Sequence, residues 1–369
     1  MAQLAPNPEK LETGRHTDAK KIERHVEPLG EDMKYIRWNA PGVEHKEDGE
    51  EETMKAVSDQ FKRFQQMNFN EHHHCFRGTH LKTQGCVKGT LRVHDNLPEH
   101  LAQGLFSKPG TYECMMRYSS LTPKLLPDTV SAPRGAAIKV FGVEGEKLFQ
   151  PDRNTQDFTF NNYDVLELRT PKATNEIADS LERNWNDADG FVQELKERPD
   201  AEVACMGGGL PQEHMAAMTQ HSQSAYRYGD YVVKYALVPT GDAQRKLKDW
   251  REFHKSNTAS YAFVVQFLQN LDEQPVEDIG VSWDPNKYPF HQVATVEFPQ
   301  QDSFLPGFRT YWDDKITCNG WHGLKEHQPL GSANRMRRTV YAESRKFRLK
   351  MNGVESIVEP AALIEVPAY

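Results

Sequence analysis

The sequence predicts an α+β fold with an antiparallel sheet or barrel at its centre. Two observations carry this. Six β-rich runs are separated by clusters of Gly, Pro, Asp and Asn, and they fall into two blocks with a helical stretch between them. The order helix, strands, helices, strands, helix lacks the regular strand–helix alternation of a doubly wound parallel sheet.

Each element has its own pattern. Residues 1–50 are polar and rich in charge and proline, and read as a loosely ordered arm suited to contacts within a homo-oligomer. Residues 51–369 then form one domain. In EETMKAVSDQFKRFQQMN (51–68), Met54, Val57, Phe61 and Phe64 recur at helical spacing, which predicts an amphipathic helix. The strand-like runs are GTLRVH (89–94), TYECMMRYSS (111–120), RGAAIKVFG (134–142), DYVVKYALV (230–238), SYAFVVQFLQ (260–269) and HQVATVEF (291–298). Residues 172–225 are expected to be mostly helical, and NRMRRTVYAESRKFRLK (334–350) reads as a further helix.

Composition narrows the function. A formal net charge of −8 argues against nucleic acid or an anionic membrane as the main partner. No run approaches the roughly 20 apolar residues of a membrane span, and the N-terminus lacks the basic-then-apolar pattern of a secretory signal. Five scattered cysteines without a CxxC pair suit reduced thiols in a cytoplasmic protein. HHHC (72–75) is a poor metal site, because consecutive side chains point apart, and GGG (207–209) reads as a flexible turn. EDGEEE (47–52) reads as a solvated helix start. Trp321, His322 and His327 precede the last helix.

On a helix, Arg337, Tyr341, Ser344, Arg345 and Arg348 share one face. One reading is a solvated basic face. The other is that the arginines serve the tyrosine and an anion. An arginine one turn before a tyrosine can hydrogen-bond its oxygen and favour the phenolate. A phenolate is a hard ligand for ferric iron, and Arg348 suits a carboxylate.

That stripe resembles the proximal signature of the haem catalases: R337-RTV-Y341-AE-S344-RKF-R348, with Ala342-Glu343 where the family has Pro-Asp. FRGTH (76–80) resembles the family's distal segment, MRYSS (116–120) its Arg-Phe-Ser, PRGAAIKVFG (133–142) the following strand, and DFTFNNYDVLELR (157–169) the segment with the distal asparagine. WDPNKYPFHQVATVEFPQ (283–300) resembles its Trp-Pro and Tyr-Pro region. All occur in the family's order and together span about residues 60–350.

The resemblance implies an eight-stranded antiparallel barrel with flanking helices and one buried haem b. It implies Tyr341 as the iron ligand, with Arg337 beside it. His80 would be the acid/base, Ser119 the hydroxyl orienting it, and Asn161 the distal amide. Arg77, Arg117 and Arg348 would bind propionates. The implied substrate is a peroxide.

Three departures qualify this. The chain ends 28 residues after Tyr341, which resembles the small catalase-related haem proteins and leaves no expected nicotinamide-binding surface. Thr79 stands where catalases have valine, as in allene oxide synthase, and is expected to hydrogen-bond the distal histidine or a water. Val165 and Leu166 stand where the family has phenylalanines, a change that would open the pocket to a lipid hydroperoxide. The expected function is therefore a catalase-related haem peroxidase. The alternatives are a fatty acid hydroperoxide dehydratase or lyase of allene oxide synthase type, and a non-enzymatic haem carrier or sensor.

Overall fold

A computed structural model describes residues 35–149, 153–210, 215–241, 244, 250–357 and 359–367. Most of the expected arm, residues 1–34, lies outside them. Residues 35–49 are packed against the barrel: Tyr35 stacks on Phe267 with ring centroids 4.0 Å apart, and the Ile36 N–H donates to the Leu268 carbonyl at 2.9 Å.

Among the described residues the first elements are α1 (Glu50–His72), β1 (Lys82–Val93), β2 (Gly110–Ser120), β3 (Arg134–Phe141) and β4 (Thr155–Asn161). Helices α2 (Pro171–Arg183), α3 (Ala188–Lys196) and α4 (Ala201–Ala204) follow. Next come β5 (Gln220–His221), β6 (Tyr226–Tyr228), β7 (Tyr231–Pro239), α5 (Trp250–Ser256), β8 (Ala259–Phe267) and β9 (Phe290–Phe298). Helices α6 (Pro306–Lys315) and α7 (Ser332–Met351) complete the order.

Every strand pairing among the described residues is antiparallel. The order β5-β4-β3-β2-β1-β9-β8-β7 is closed by β5 pairing with β7, which makes an eight-stranded barrel, and β6 is a hairpin added to β7. Closure leaves no exposed sheet edge in the ring. Alternation along each strand sorts the side chains. On β2, Cys114, Met116 and Tyr118 fill the barrel interior with Phe158, Phe160, Tyr235 and Phe263, whereas Arg117 and Ser119 have the opposite parity.

The predicted strands all form. The sequence reading misses β4, the two-residue β5 and β6, and it extends the middle helical stretch (172–225) too far, since Gln220–His221 is a strand. It also misses α6. The acidic helix start is only partly solvated: Glu50 is 7% exposed and pairs with Arg335, which also meets Glu44 and Glu277. This clamp fixes the start of α7 against α1. Met54, Val57, Met336 and Val340 then form the apolar seam between the two helices, with Phe61 and Tyr341 packed on it.

Candidate active site

The site is organised along one rung of the barrel. Thr83 is in register with Ser119, Ser119 with Gly135, Gly135 with Asn161, and Asn161 with His221. His80 lies two residues before the start of β1, in a left-handed conformation (φ 50°). Its Nδ1 lies 3.0 Å from Ser119 Oγ, and Ser119 Oγ lies 3.5 Å from the Gly135 carbonyl oxygen. A hydroxyl that donates to that carbonyl accepts from Nδ1–H, so Nε2 carries the free lone pair. Burial lowers the His80 pKa to about 3, assisted by the charges of Arg117, Arg337 and Arg77, so the ring is a neutral imidazole.

The nine residues expected to hold the haem or act on the peroxide line one cavity: Arg77, Thr79, His80, Arg117, Ser119, Asn161, Arg337, Tyr341 and Arg348. It lies between the barrel wall, α1, α6 and α7, with a volume of about 920 Å³ including its open mouth. Phe61, Ala136, Ala137, Phe160 and Trp312 supply apolar wall. A second cavity of about 540 Å³ shares Phe61, Thr79, His80, Asn161, Arg337 and Tyr341 with the first, and its other walls include Val57, Leu121, Leu166, Leu168 and Ile279.

The helical stripe is not a solvated basic face, since Arg337, Tyr341, Ser344, Arg345 and Arg348 all reach the cavity. Counting Arg77 and Arg117, five arginines and no carboxylate line it among the described residues. Arg117 pairs with Asp313 at 3.2 Å and Arg345 with Glu359 at 3.3 Å. The hydrogen bonds of the other three run to neutral acceptors. Arg77 donates to the Trp312 and Ile316 carbonyls at 2.7 and 2.8 Å, and Arg348 to the Asp313 carbonyl at 2.5 Å, so both sit at the C-terminal end of α6. The Arg77 Nε is buried with no hydrogen-bond partner among the described residues. Burial pushes the pKa of Arg77 and Arg348 down, the electrostatic signature of cations short of counter-charge.

Two expected contacts differ. Arg337 donates to Ser224 Oγ at 2.9 Å and Asn334 Oδ1 at 3.2 Å, so it acts on Tyr341 by charge. Burial raises the Tyr341 pKa, and the Arg337 charge offsets part of that. The Thr79 hydroxyl donates to the Leu121 carbonyl at 3.0 Å and not to His80; the His80 N–H donates to the same carbonyl at 3.3 Å, which holds this turn against Leu121. Leu166 lines the second cavity as expected of an opened pocket, whereas Val165 lines neither. His327 lies in the barrel core against Phe106 and Tyr235, away from the cavity.

The same fold occurs in solved catalases. Catalase A from Saccharomyces cerevisiae superposes with a TM-score of 0.57 at 18% identity, covering 89% of this chain and 70% of that one. A bacterial catalase gives 0.58 at 15% identity, covering 90% and 69%. The chain has the catalase fold. A fungal catalase matches over 95% of this catalase-fold chain and 72% of its own, with a TM-score of 0.57 and 18% identity. In sequence, the chain is 24% identical over 349 residues to a linolenate 9R-lipoxygenase of Nostoc sp. (strain PCC 7120), covering 79% of this chain and 42% of that protein. It thus spans about two fifths of the length of that curated relative. No family model matches the sequence.

Within this catalase fold, the structure adds residues that the sequence reading missed. Gly135 is one: a Cβ there would stand 2.4 Å from His80 Cε1 and 2.9 Å from Asn161 Oδ1. Gln223 and Asp313 are others, bonded to Asn161 and Arg117 respectively. The quoted strand motif contains Gly135. Nothing local to Gln223 or Asp313 marks them.

Proposed function

We propose that this chain is a haem-dependent enzyme acting on a peroxide. The observation that carries the reading is the convergence of His80, with its Ser119 partner, and Tyr341 on one cationic, partly apolar cavity. The residues present fit a haem. Arg77, Arg117 and Arg348 suit its two carboxylates, and the unpartnered Arg77 Nε together with three arginines bonded to neutral acceptors leaves charge for an anion to meet. Phe61, Ala136, Ala137 and Phe160 suit a flat apolar ring. Tyr341 offers a phenol oxygen to iron, and the Arg337 charge favours its ionised form.

When bound, the haem supplies a ferric centre at which a peroxide O–O bond is broken. The protein supplies the proton handling. Neutral His80 accepts the hydroperoxide proton at Nε2 and returns it to the departing oxygen, while Ser119 holds Nδ1 and so keeps the tautomer and the ring orientation. Carboxylates placed against Arg77 and Arg117 would offset the charge-based part of the depression of His80, while burial, its larger cause, remains.

The second cavity favours an organic hydroperoxide over hydrogen peroxide. Its Leu121, Leu166, Leu168 and Ile279 walls suit an alkyl chain, and it opens onto the same His80 and Asn161. The similarity to a linolenate 9R-lipoxygenase points the same way. It supports the second reading, a fatty acid hydroperoxide dehydratase or lyase, in which the substrate loses water or fragments without an external reductant. A haem carrier or sensor has no use for a neutral base oriented by a serine.

The test is anaerobic incubation of haem-loaded protein with hydrogen peroxide and with linoleate hydroperoxide side by side, following oxygen and products. Consumption of the lipid hydroperoxide with little oxygen release is expected. A chain that takes up no haem, or a loaded chain that consumes neither peroxide, overturns the proposal.

A further inference from the structure

We propose that Gln223 is a positioning residue for Asn161, fixing which end of the Asn161 amide faces which wall of the site; the role in turnover rests on the functional reading above. Asn161 closes β4 and is 5% exposed. Its Nδ2 donates to Gln223 Oε1 at 2.7 Å. Gln223 Nε2 donates in turn to the backbone carbonyl of Val165. A carbonyl only accepts, so that last contact decides the chain of bonds. Gln223 must present Nε2 to Val165 and Oε1 to Asn161, and Asn161 must answer with Nδ2.

The rest of the geometry agrees. Asn161 Oδ1 is then turned to Gly135, beside the His80 ring, where it is buried with no hydrogen-bond partner among the described residues. A buried unpartnered amide oxygen is unfavourable, and a free Asn would turn to relieve it. Gln223 is what prevents this. It is itself 2% exposed and held in a left-handed conformation (φ 62°), which a non-glycine residue adopts when its surroundings dictate it. Those surroundings are explicit. Ser222 Oγ accepts from the Tyr235 N–H at 3.0 Å, and Ser224 Oγ is bonded to Asn334 Oδ1 at 3.0 Å and receives Arg337 at 2.9 Å. Consecutive residues thus serve the amide on one side of the cavity and the arginine of the tyrosine helix on the other. The remaining N–H of Asn161 Nδ2 is the donor that the locked amide keeps for a ligand.

The experiment is a double-mutant cycle on haem-loaded protein with cumene hydroperoxide, using Gln223→Met and Asn161→Ala. Gln223→Met is expected to lower kcat about tenfold with KM little changed, and to have less than about a twofold effect once Asn161 is already alanine. Gln223→Glu adds a pH signature. Its neutral carboxyl can donate to Val165 and accept from Asn161, so activity is kept at low pH and falls as the carboxylate forms against the Val165 carbonyl. A crystal structure of ligand-free Gln223→Met should show the Asn161 amide turned or flipped. An unchanged Asn161 in that structure overturns the proposal, as does an equal loss of activity in both backgrounds. If the wild type proves to have no peroxide activity, the functional reading fails on its own, and the ligand-free structures still decide whether Gln223 holds Asn161.

Discussion

His80 rests directly on Gly135. A Cβ at position 135 would lie 2.4 Å from His80 Cε1 and 2.7 Å from Nδ1, distances that no real contact tolerates. Gly135→Ala is therefore expected to push the imidazole off Ser119 while leaving the arginines and Tyr341 in place. Haem content should be retained and the rate of peroxide cleavage should fall by up to about 10²-fold, the scale of a displacement near 1 Å in a reacting group. Stopped-flow measurement of the first step with hydroperoxide checks this, and a wild-type rate would remove the requirement for glycine.

Tyr341 is half-buried on the seam between α1 and α7, and in the ligand-free protein burial keeps its phenol protonated. Tyr341→Phe removes one oxygen from a side chain that otherwise packs on Met336 and Val340. The ligand-free variant should melt within a few degrees of wild type. Its haem uptake, read by absorbance and by pyridine haemochrome, should be lost or strongly reduced. Unchanged uptake and an unchanged ferric spectrum would show that another residue is the ligand.

Acid should destabilise the ligand-free protein steeply. Burial lowers His80 and His327 to about 3 and His221 and His291 to about 4. The unfolded chain titrates near the ordinary value of about 6.5. The folded values lie below the unfolded ones, so between about pH 6.5 and these values the unfolded chain holds more protons, and stability falls as pH drops. Each histidine contributes up to about 1.4 kcal/mol per pH unit in that window. His327 is the clearest case, since its Nε2 accepts the Leu105 N–H at 2.9 Å and its Nδ1 lies 2.9 Å from the Tyr235 hydroxyl. Urea titrations at a series of pH values should show the slope reduced by one proton in His327→Gln. At lower pH the Glu50 carboxyl, held below its usual range by Arg335, loses its contribution as it protonates.

Leu166 is 6% exposed and forms part of the apolar second cavity. Leu166→Phe narrows that space without touching His80 or Tyr341. KM for a long-chain hydroperoxide should rise several-fold relative to that for hydrogen peroxide. Equal effects on both substrates in steady-state kinetics would place the alkyl chain elsewhere.

Much of this molecule is determined by local sequence. The arginine–tyrosine stripe of α7 is visible because helical periodicity puts residues three and four apart on one face. Six of the eight strands of the barrel wall, all but β4 and β5, are visible because alternation and turn residues mark them. The order of FRGTH, MRYSS, PRGAAIKVFG and DFTFNN is enough to anticipate the barrel and the residues that line its cavity. Only the tertiary structure decides which atoms meet. Gln223 reaches Asn161 across 62 positions because β5 closes the ring between β4 and β7, and Gly135 is needed because barrel register sets it under His80. The same closure directs Arg337 to Ser224 and Asn334 and leaves the Tyr341 oxygen to feel only its charge. Periodicity reports which face a side chain takes. The partner on that face depends on strand register and ring closure, which are cooperative properties of distant segments and leave no mark at any single position.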